Sequence, residues 1–160
     1  MGSCSTKNMR KDGGKEMFIK MKNLIPADRM RDADDLYRKW QEIRAGESKA
    51  VIIDMRTEGE FDSGHIQEST HITPDHAYTI PGKWADPGQE MWVLCRTTHR
   101  ATYLAALLYG FGYKNVYLVN KGIGDWFDKG YPIDKTKYLR RTDVVKYEKL
   151  KDTCTFRENK

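Results

Sequence analysis

The stretch that decides the fold is residues 92–101, which read WVLCRTTHRA. An apolar run ends at Cys95, Arg100 follows after four intervening residues, and a helix-forming run begins at Ala101. In an α/β fold such a run is a buried strand that carries its last residue to the carboxyl edge of a sheet. The loop then turns its backbone N–H groups toward the sulfur, at the positive end of the next helix. The sequence therefore predicts a reactive thiolate in this loop.

The chain has 160 residues, which suffices for one well-filled core and not for two ordinary domains. Apolar residues make up 39% and charged residues 32%, and no apolar run approaches the 18 or so residues of a membrane-spanning helix. The net charge is +5, but the basic residues concentrate at the two ends and form no nucleic-acid-binding motif. We therefore expect an anionic small substrate rather than a nucleic acid.

The three cysteines are Cys4, Cys95 and Cys154. Their number is odd and their spacing fits no metal site, so a disulfide framework and a zinc centre are both disfavoured. Cys4 follows Met1-Gly2-Ser3, which leaves three alternatives: the lipid-bearing end of a bacterial lipoprotein, a myristoylation pattern with Cys4 as a second acylation site, or an unmodified tail. The first two would anchor the protein to a membrane.

Short apolar runs predict buried strands at residues 50–53, 91–94 and 116–119, with another short strand near His71. Helical spacing predicts helices over residues 26–43, 101–110 and 122–130. Thr57 and Glu60 have the spacing of a capping box, which begins a further short helix. This alternation predicts an α/β fold with a central parallel sheet and helices on both faces.

Three separate segments together resemble the rhodanese-like domain family. The first resembles the opening signature of that family, the second its active-site loop, and the third the segment that ends the domain. They are, in order, residues 52–66 (IIDMRTEGEFDSGHI), residues 95–100 (CRTTHR) and residues 111–133 (FGYKNVYLVNKGIGDWFDKGYPI).

The resemblance implies a sulfurtransferase. Cys95 would be the nucleophile, would take sulfane sulfur from thiosulfate or polysulfide as a covalent persulfide, and would pass it to a thiol or to cyanide. No other cofactor and no metal is implied. The oligomeric state is left open, and so is the compartment, which could be the periplasm, with or without a lipid anchor, or the cytoplasm.

Other active-site residues are expected in and behind the loop. Arg96, Thr97, Thr98, His99 and Arg100 form the loop itself, where the basic heads would attract an anionic donor and Arg100 would either close the loop or contact the donor. Asp54 and Arg56 come at a strand end, where ligands gather in open α/β sheets. The resemblance implies that this pair supports the loop from behind.

The spacing within the loop distinguishes two chemistries of the superfamily. Four residues separate Cys95 from Arg100, whereas the related phosphatases have five because phosphate needs a wider cradle. The sequence therefore favours sulfur over phosphate or arsenate chemistry. Two positions depart from the usual pattern: Thr98 and Lys121 each replace a glycine. Members that use polysulfide can lack the first of these glycines, and the sequence resembles those members. A threonine would be strained if the loop required a positive φ there, so either the loop has a different shape or Thr98 contributes its hydroxyl.

The domain organisation expected is a flexible N-terminal lead (1–22), a rhodanese-like domain (23–134) and a basic, partly helical extension (135–160). The two polar ends leave a second interpretation of the function. The domain could be a sulfur-carrying or docking module of a larger membrane or redox assembly, with its ends as the contact elements.

Overall fold

The computed structural model describes residues 2–135 of the chain, with side chains from residue 13 onward. Its α-helices are α1 (Gly2–Asn23), α2 (Ala33–Arg44), α3 (Glu58–Ser63), α4 (Ile80–Lys83), α5 (His99–Gly110) and α6 (Gly122–Asp128). Its strands are β1 (Met30–Arg31), β2 (Val51–Asp54), β3 (Ser69–His71), β4 (Met91–Leu94) and β5 (Val116–Val119). Helices of the 3-10 type lie at Ala27–Arg29 and Pro74–Thr79. The helix predicted within the C-terminal extension (135–160) falls outside the described residues.

The strands form one parallel sheet in the order β1-β5-β4-β2-β3. In the register of β2 with β4, Asp54 pairs with Leu94, so both strands end at the same edge. Cys95 follows directly at that edge. The α/β fold with a parallel sheet, predicted from the alternation of apolar runs, is confirmed.

Each face of the sheet is covered by its own helices. On one face, Ile53 and Val93 pack with the apolar side of α5 and with Ile80 of α4. On the other face, Ile52 and Trp92 pack with residues of α2 and α6. Neighbouring strand residues point to opposite faces, so a strand buried on both sides needs an unbroken apolar run. The predicted arrangement of helices on both faces is therefore also confirmed.

The first helix of the domain begins later than the sequence predicts. The prediction placed its start at Pro26, but α2 begins at Ala33, where the Asp35 N–H donates to the Asp32 carboxylate over 2.9 Å. Met30 and Arg31 instead form β1, which pairs with β5 at the edge of the sheet. A strand of two residues is too short to show a period, so its pairing depends on a tertiary contact that the sequence pattern does not reveal.

The sequence predicts a flexible lead over residues 1–22, with little helical periodicity. Residues 2–23 form α1, which packs against α5 near its C-terminal end. The Phe18 ring lies 5.2 Å from the His99 ring and 5.8 Å from the Tyr103 ring, measured between centroids. Tertiary packing of this kind stabilises a helix whose sequence shows no amphipathic periodicity. In the described part of the chain, no helix is both long and apolar enough to cross a bilayer.

Candidate active site

Cys95 lies at the bottom of the loop that joins β4 to α5. Its side chain is buried, with 1% of the residue exposed. The Met55 N–H donates to the carbonyl of Leu94 over 3.1 Å, which holds the end of β4 to the neighbouring strand. The sulfur therefore has a fixed position at the carboxyl edge of the sheet, as the sequence predicts.

The loop directs backbone N–H groups at the sulfur. Burial raises the pKa of the Cys95 thiol, while hydrogen bonds from the N–H groups of Ala101, Thr97 and Arg100, together with the charge of Arg100, act in the opposite direction. Burial has the larger effect, so at neutral pH the resting protein holds mainly the thiol, and the predicted thiolate is wrong for the resting state. The same N–H groups would stabilise negative charge that forms on the sulfur during a reaction.

The loop keeps this shape because α6 holds its carbonyl groups on the opposite side. The Ile123 N–H donates to the Cys95 carbonyl over 2.8 Å, and the Gly124 N–H donates to the Arg96 carbonyl over 3.0 Å. Gly122 allows this close approach. It has a φ of +54°, and a Cβ atom there would lie 2.2 Å from the Cys95 carbonyl oxygen. With its carbonyls bonded to α6, the loop is free to turn its N–H groups inward.

Arg100 closes the loop against a buried carboxylate. Its guanidinium makes two hydrogen bonds to Glu60, with Nη1 3.0 Å from Oε1 and Nη2 3.2 Å from Oε2. Burial opposes ionisation of Glu60, but the Arg100 hydrogen bond and charge, with hydrogen bonds from Thr57, outweigh it, so the pKa of Glu60 lies below its ordinary value. Thr57 and Glu60 also form the predicted capping box of α3.

Asp54 and Arg56 form a buried ion pair behind the loop. Arg56 Nη2 lies 2.8 Å from Asp54 Oδ2, and both side chains are almost fully excluded from solvent. Arg56 also donates to the carbonyl of Glu60 within α3 and to the carbonyl of Gly64, which follows the last residue of that helix. The pair therefore fixes the helix that carries Glu60, and through Glu60 it supports Arg100. The sequence placed these two residues behind the loop, and the structure brings them there through α3.

The remaining loop residues lie at different depths. Arg96 and Thr97 are half-buried, and their backbone groups form part of the loop contacts with α6 and with the sulfur. The His99 ring is exposed and rests beside Phe18 of α1, so α1 reaches the rim of the site.

The two departures from glycine occupy adjacent positions in the structure. Thr98 has a φ of −135°, so it is not in the left-handed conformation that would strain a β-branched residue. Its hydroxyl donates to Asn120 Oδ1 over 3.2 Å and accepts a hydrogen bond from the Lys121 N–H over 3.1 Å. Lys121 itself has a left-handed φ of 60°. Because the Thr98 hydroxyl bonds the backbone of Lys121, the loop stabilises a strained conformation that glycine would adopt without cost.

Three residues of the site were not predicted in these roles. The sequence predicts Glu60 as part of a capping box and Gly122 as the start of a helix, and it assigns no role to Asn120. A carboxylate that follows a strand end by a few residues is a signal that could have identified Glu60. The close approach of Gly122 and the side-chain contacts of Asn120 depend on how α6 meets the loop, which no pattern along the chain encodes. Among the described side chains, no group of three or more His, Cys, Asp or Glu could hold a metal ion.

Replacing Glu60 with glutamine is expected to lower the free energy of unfolding by about 2 kcal/mol at neutral pH, because it leaves Arg100 without its charged partner. The folded-state pKa of Glu60 is depressed, so the contribution of its charge is complete above the unfolded pKa and disappears as pH falls through the folded value. The difference between wild type and Glu60→Gln should therefore shrink below its ordinary pKa of 4.5.

Urea denaturation across that pH range measures this difference. Glu58→Gln is the matched control, because Glu58 lies in the same helical turn but is exposed. A deficit in Glu60→Gln that does not change with pH, or one that Glu58→Gln shares, would contradict the assigned pairing.

Comparison with known proteins agrees with this geometry. The family model described as "Rhodanese-like domain" matches residues 36–129, which is more than half of the chain. The thiosulfate sulfurtransferase GlpE of Pseudomonas syringae is 32% identical over 80 residues, which are 50% of this chain and 74% of that protein.

Solved structures share the fold. A rhodanese-like domain from Anabaena superposes with a TM-score of 0.59 at 19% identity, covering 69% of this chain and 82% of that one. A Rhodopseudomonas palustris protein of unknown function is described as a possible tyrosine phosphatase. It superposes with a TM-score of 0.59 at 23% identity, covering 75% of this chain and 92% of that one. The family match, the relative and the fold agree with the site geometry: this chain belongs to the rhodanese-like domain family.

Proposed function

We propose that this protein is a sulfurtransferase that takes sulfane sulfur from thiosulfate or polysulfide onto Cys95 and passes it to a thiol or to cyanide. The observation that carries the proposal is the buried Cys95 sulfur, which receives N–H groups from a loop of six residues. The similarity to the Pseudomonas proteins named thiosulfate sulfurtransferase supports the same reaction.

The reaction consists of two displacements at sulfur. The Cys95 thiolate attacks the sulfane sulfur of thiosulfate, an S–S bond forms to Sγ, and sulfite leaves with the electron pair of the broken bond. The acceptor nucleophile then attacks the outer sulfur, and Cys95 leaves as the thiolate. In the persulfide, the negative charge lies on the outer sulfur. The N–H groups of Thr97, Arg100 and Ala101, which bond the Cys95 sulfur, would also stabilise this charge.

Phosphate chemistry is the second candidate, because the fold also occurs in the Rhodopseudomonas protein described as a possible tyrosine phosphatase. The Arg100 guanidinium is paired with the Glu60 carboxylate, and only four residues separate Arg100 from Cys95. This leaves a cradle that suits one sulfur better than a tetrahedral oxyanion. We expect sulfur loading from thiosulfate or polysulfide and no turnover of a generic phosphoester or of arsenate. The opposite pattern would favour the second candidate.

The rate of sulfur loading should depend steeply on pH. Only the thiolate attacks, and burial raises the pKa of Cys95 above its ordinary value of 9.0. We therefore expect the rate of loading from thiosulfate to rise about tenfold per pH unit from neutral pH upward, without a plateau below 9.0. Quenched samples weighed by mass spectrometry measure this rate. A rate that is already constant near neutral pH would show that the loop outweighs burial.

A further inference from the structure

Thr98 precedes α5 but does not cap it, unlike the residues that precede two other helices of this protein. At α2 and α3, the residues Asp32 and Thr57 have extended backbones with ψ of 179° and 160°, and their side chains accept a backbone N–H three residues on. Thr98 has the same capping chemistry but a ψ of −31°. Within the described residues, its hydroxyl hydrogen bonds go to another segment of the chain.

That segment is the turn after β5. Asn120 Oδ1 accepts hydrogen bonds from the Thr98 hydroxyl over 3.2 Å and from the Lys121 N–H over 3.2 Å. The Asn120 backbone is itself anchored, because its N–H donates to the carbonyl of Arg31 in β1 over 2.7 Å. The edge strand β1 therefore fixes the position of the amide that holds Thr98.

The conformation of Thr98 determines whether the first N–H groups of α5 donate to the Thr98 hydroxyl or to the Cys95 sulfur. A capping side chain accepts the N–H of the second or third helical residue, which here are Arg100 and Ala101. Those N–H groups are two of the three that bond the sulfur of Cys95. A hydroxyl in the capping position would compete with the sulfur for them.

We propose that Asn120 is a positioning residue that holds the Thr98 hydroxyl away from the start of α5 and so reserves the N–H groups of Arg100 and Ala101 for the sulfur of Cys95. The role serves the proposed sulfur transfer, but it concerns the resting thiol and can be measured without any sulfur donor. The Thr98 hydroxyl, which bonds Lys121 in its left-handed conformation, is thereby kept from capping α5.

The test is the pH dependence of Cys95 alkylation by iodoacetamide, followed on the Cys95 peptide of the full chain by mass spectrometry. In Asn120→Ala, the Thr98 hydroxyl keeps only the Lys121 N–H as a partner. We expect Thr98 then to adopt the extended backbone of a cap, and the midpoint of the curve to move up by about one pH unit. Thr98→Val has no hydroxyl and is the reference for the double variant Asn120→Ala/Thr98→Val, whose midpoint should equal that of Thr98→Val. In Asn120→Ala/Thr98→Ser, which keeps a hydroxyl, the midpoint should stay raised relative to Thr98→Ser.

Asn23→Ala is the matched control for loss of an exposed asparagine, and it should leave the curve unchanged. Thermal melting verifies that each variant is folded, and Thr98→Ala replaces Thr98→Val if the valine does not fit. The proposal is overturned if the Asn120→Ala curve coincides with wild type, or if the valine and serine double variants shift alike. A wild-type protein that alkylates as expected but accepts no sulfur would overturn the proposed function and leave this inference standing.

Discussion

Replacement of Cys95 by serine is expected to abolish sulfur transfer from thiosulfate to cyanide, with a loss of about a thousandfold or more, down to the uncatalysed rate. Serine fits the same volume but does not form the persulfide that links the two displacements. The measurement is the rate of thiocyanate formation. Because the variant keeps the loop, its melting temperature should stay close to that of wild type.

Cys154→Ser is the matched control for this prediction, since it removes a thiol from the basic extension and not from the loop. It should retain full activity. If Cys95→Ser keeps substantial activity while Cys154→Ser loses it, the nucleophile has been assigned to the wrong cysteine.

Replacement of Gly122 by alanine is expected to have the largest effect of any change outside Cys95. The new Cβ would lie 2.2 Å from the carbonyl oxygen of Cys95 and 2.4 Å from that of Thr97, both of them backbone atoms. The residue also has a φ of +54°, which disfavours any side chain. Either α6 or the loop must move, so the backbone N–H groups of the loop no longer point at the Cys95 sulfur. We expect a loss of about 3 kcal/mol in unfolding free energy and near-complete loss of sulfur transfer.

Gly130→Ala separates the effect of a strained backbone from the effect of a Cβ atom that contacts the loop. Gly130 also has a positive φ, of +69°, but a Cβ atom there would have no heavy atom within 4 Å, and the residue is outside the loop. The substitution should cost about 1 kcal/mol of stability and leave sulfur transfer intact. Equal losses of activity in the two variants would show that backbone strain, rather than contact with the loop, explains the effect of Gly122→Ala.

The sequence predicts much of this fold for a physical reason. Strands buried on both faces need unbroken apolar runs, so the bounds of β4 and β5 follow directly from the composition of residues 91–94 and 116–119. The capping box of Thr57 and Glu60 is equally local, because its partners are three residues apart. Features that the chain decides over a few consecutive residues are therefore predictable from the sequence.

The features that were missed depend on contacts across the fold. β1 has only two residues and exists through its pairing with β5. The helical form of residues 2–23 accompanies the packing of Phe18 against α5. The role of Glu60 is similar: its capping function is visible in the sequence, but its pairing with Arg100 joins residues 40 positions apart. Single-sequence patterns do not contain such pairings.

The Cys95 loop combines features that the local sequence predicts with features that depend on contacts across the fold. The spacing of Cys95 and Arg100 predicts a thiolate loop that suits sulfur. The structure places Cys95 at the end of β4 and Arg100 in the first turn of α5, but burial raises the pKa of the Cys95 thiol. The threonine at position 98 suggested either an altered loop shape or a contribution from the hydroxyl. The structure shows the hydroxyl bonded to Asn120 and Lys121, a contact between two segments that meet only in the folded protein.

The central claim is that Cys95 carries the transferred sulfur, and mass spectrometry tests it most directly. The full-length protein is incubated with thiosulfate or with polysulfide, weighed intact, and then digested to locate the added mass. We predict a gain of one sulfur atom on the Cys95 peptide with at least one donor, which cyanide removes as thiocyanate. An unchanged mass with both donors, or added sulfur located only on Cys4 or Cys154, would contradict the account.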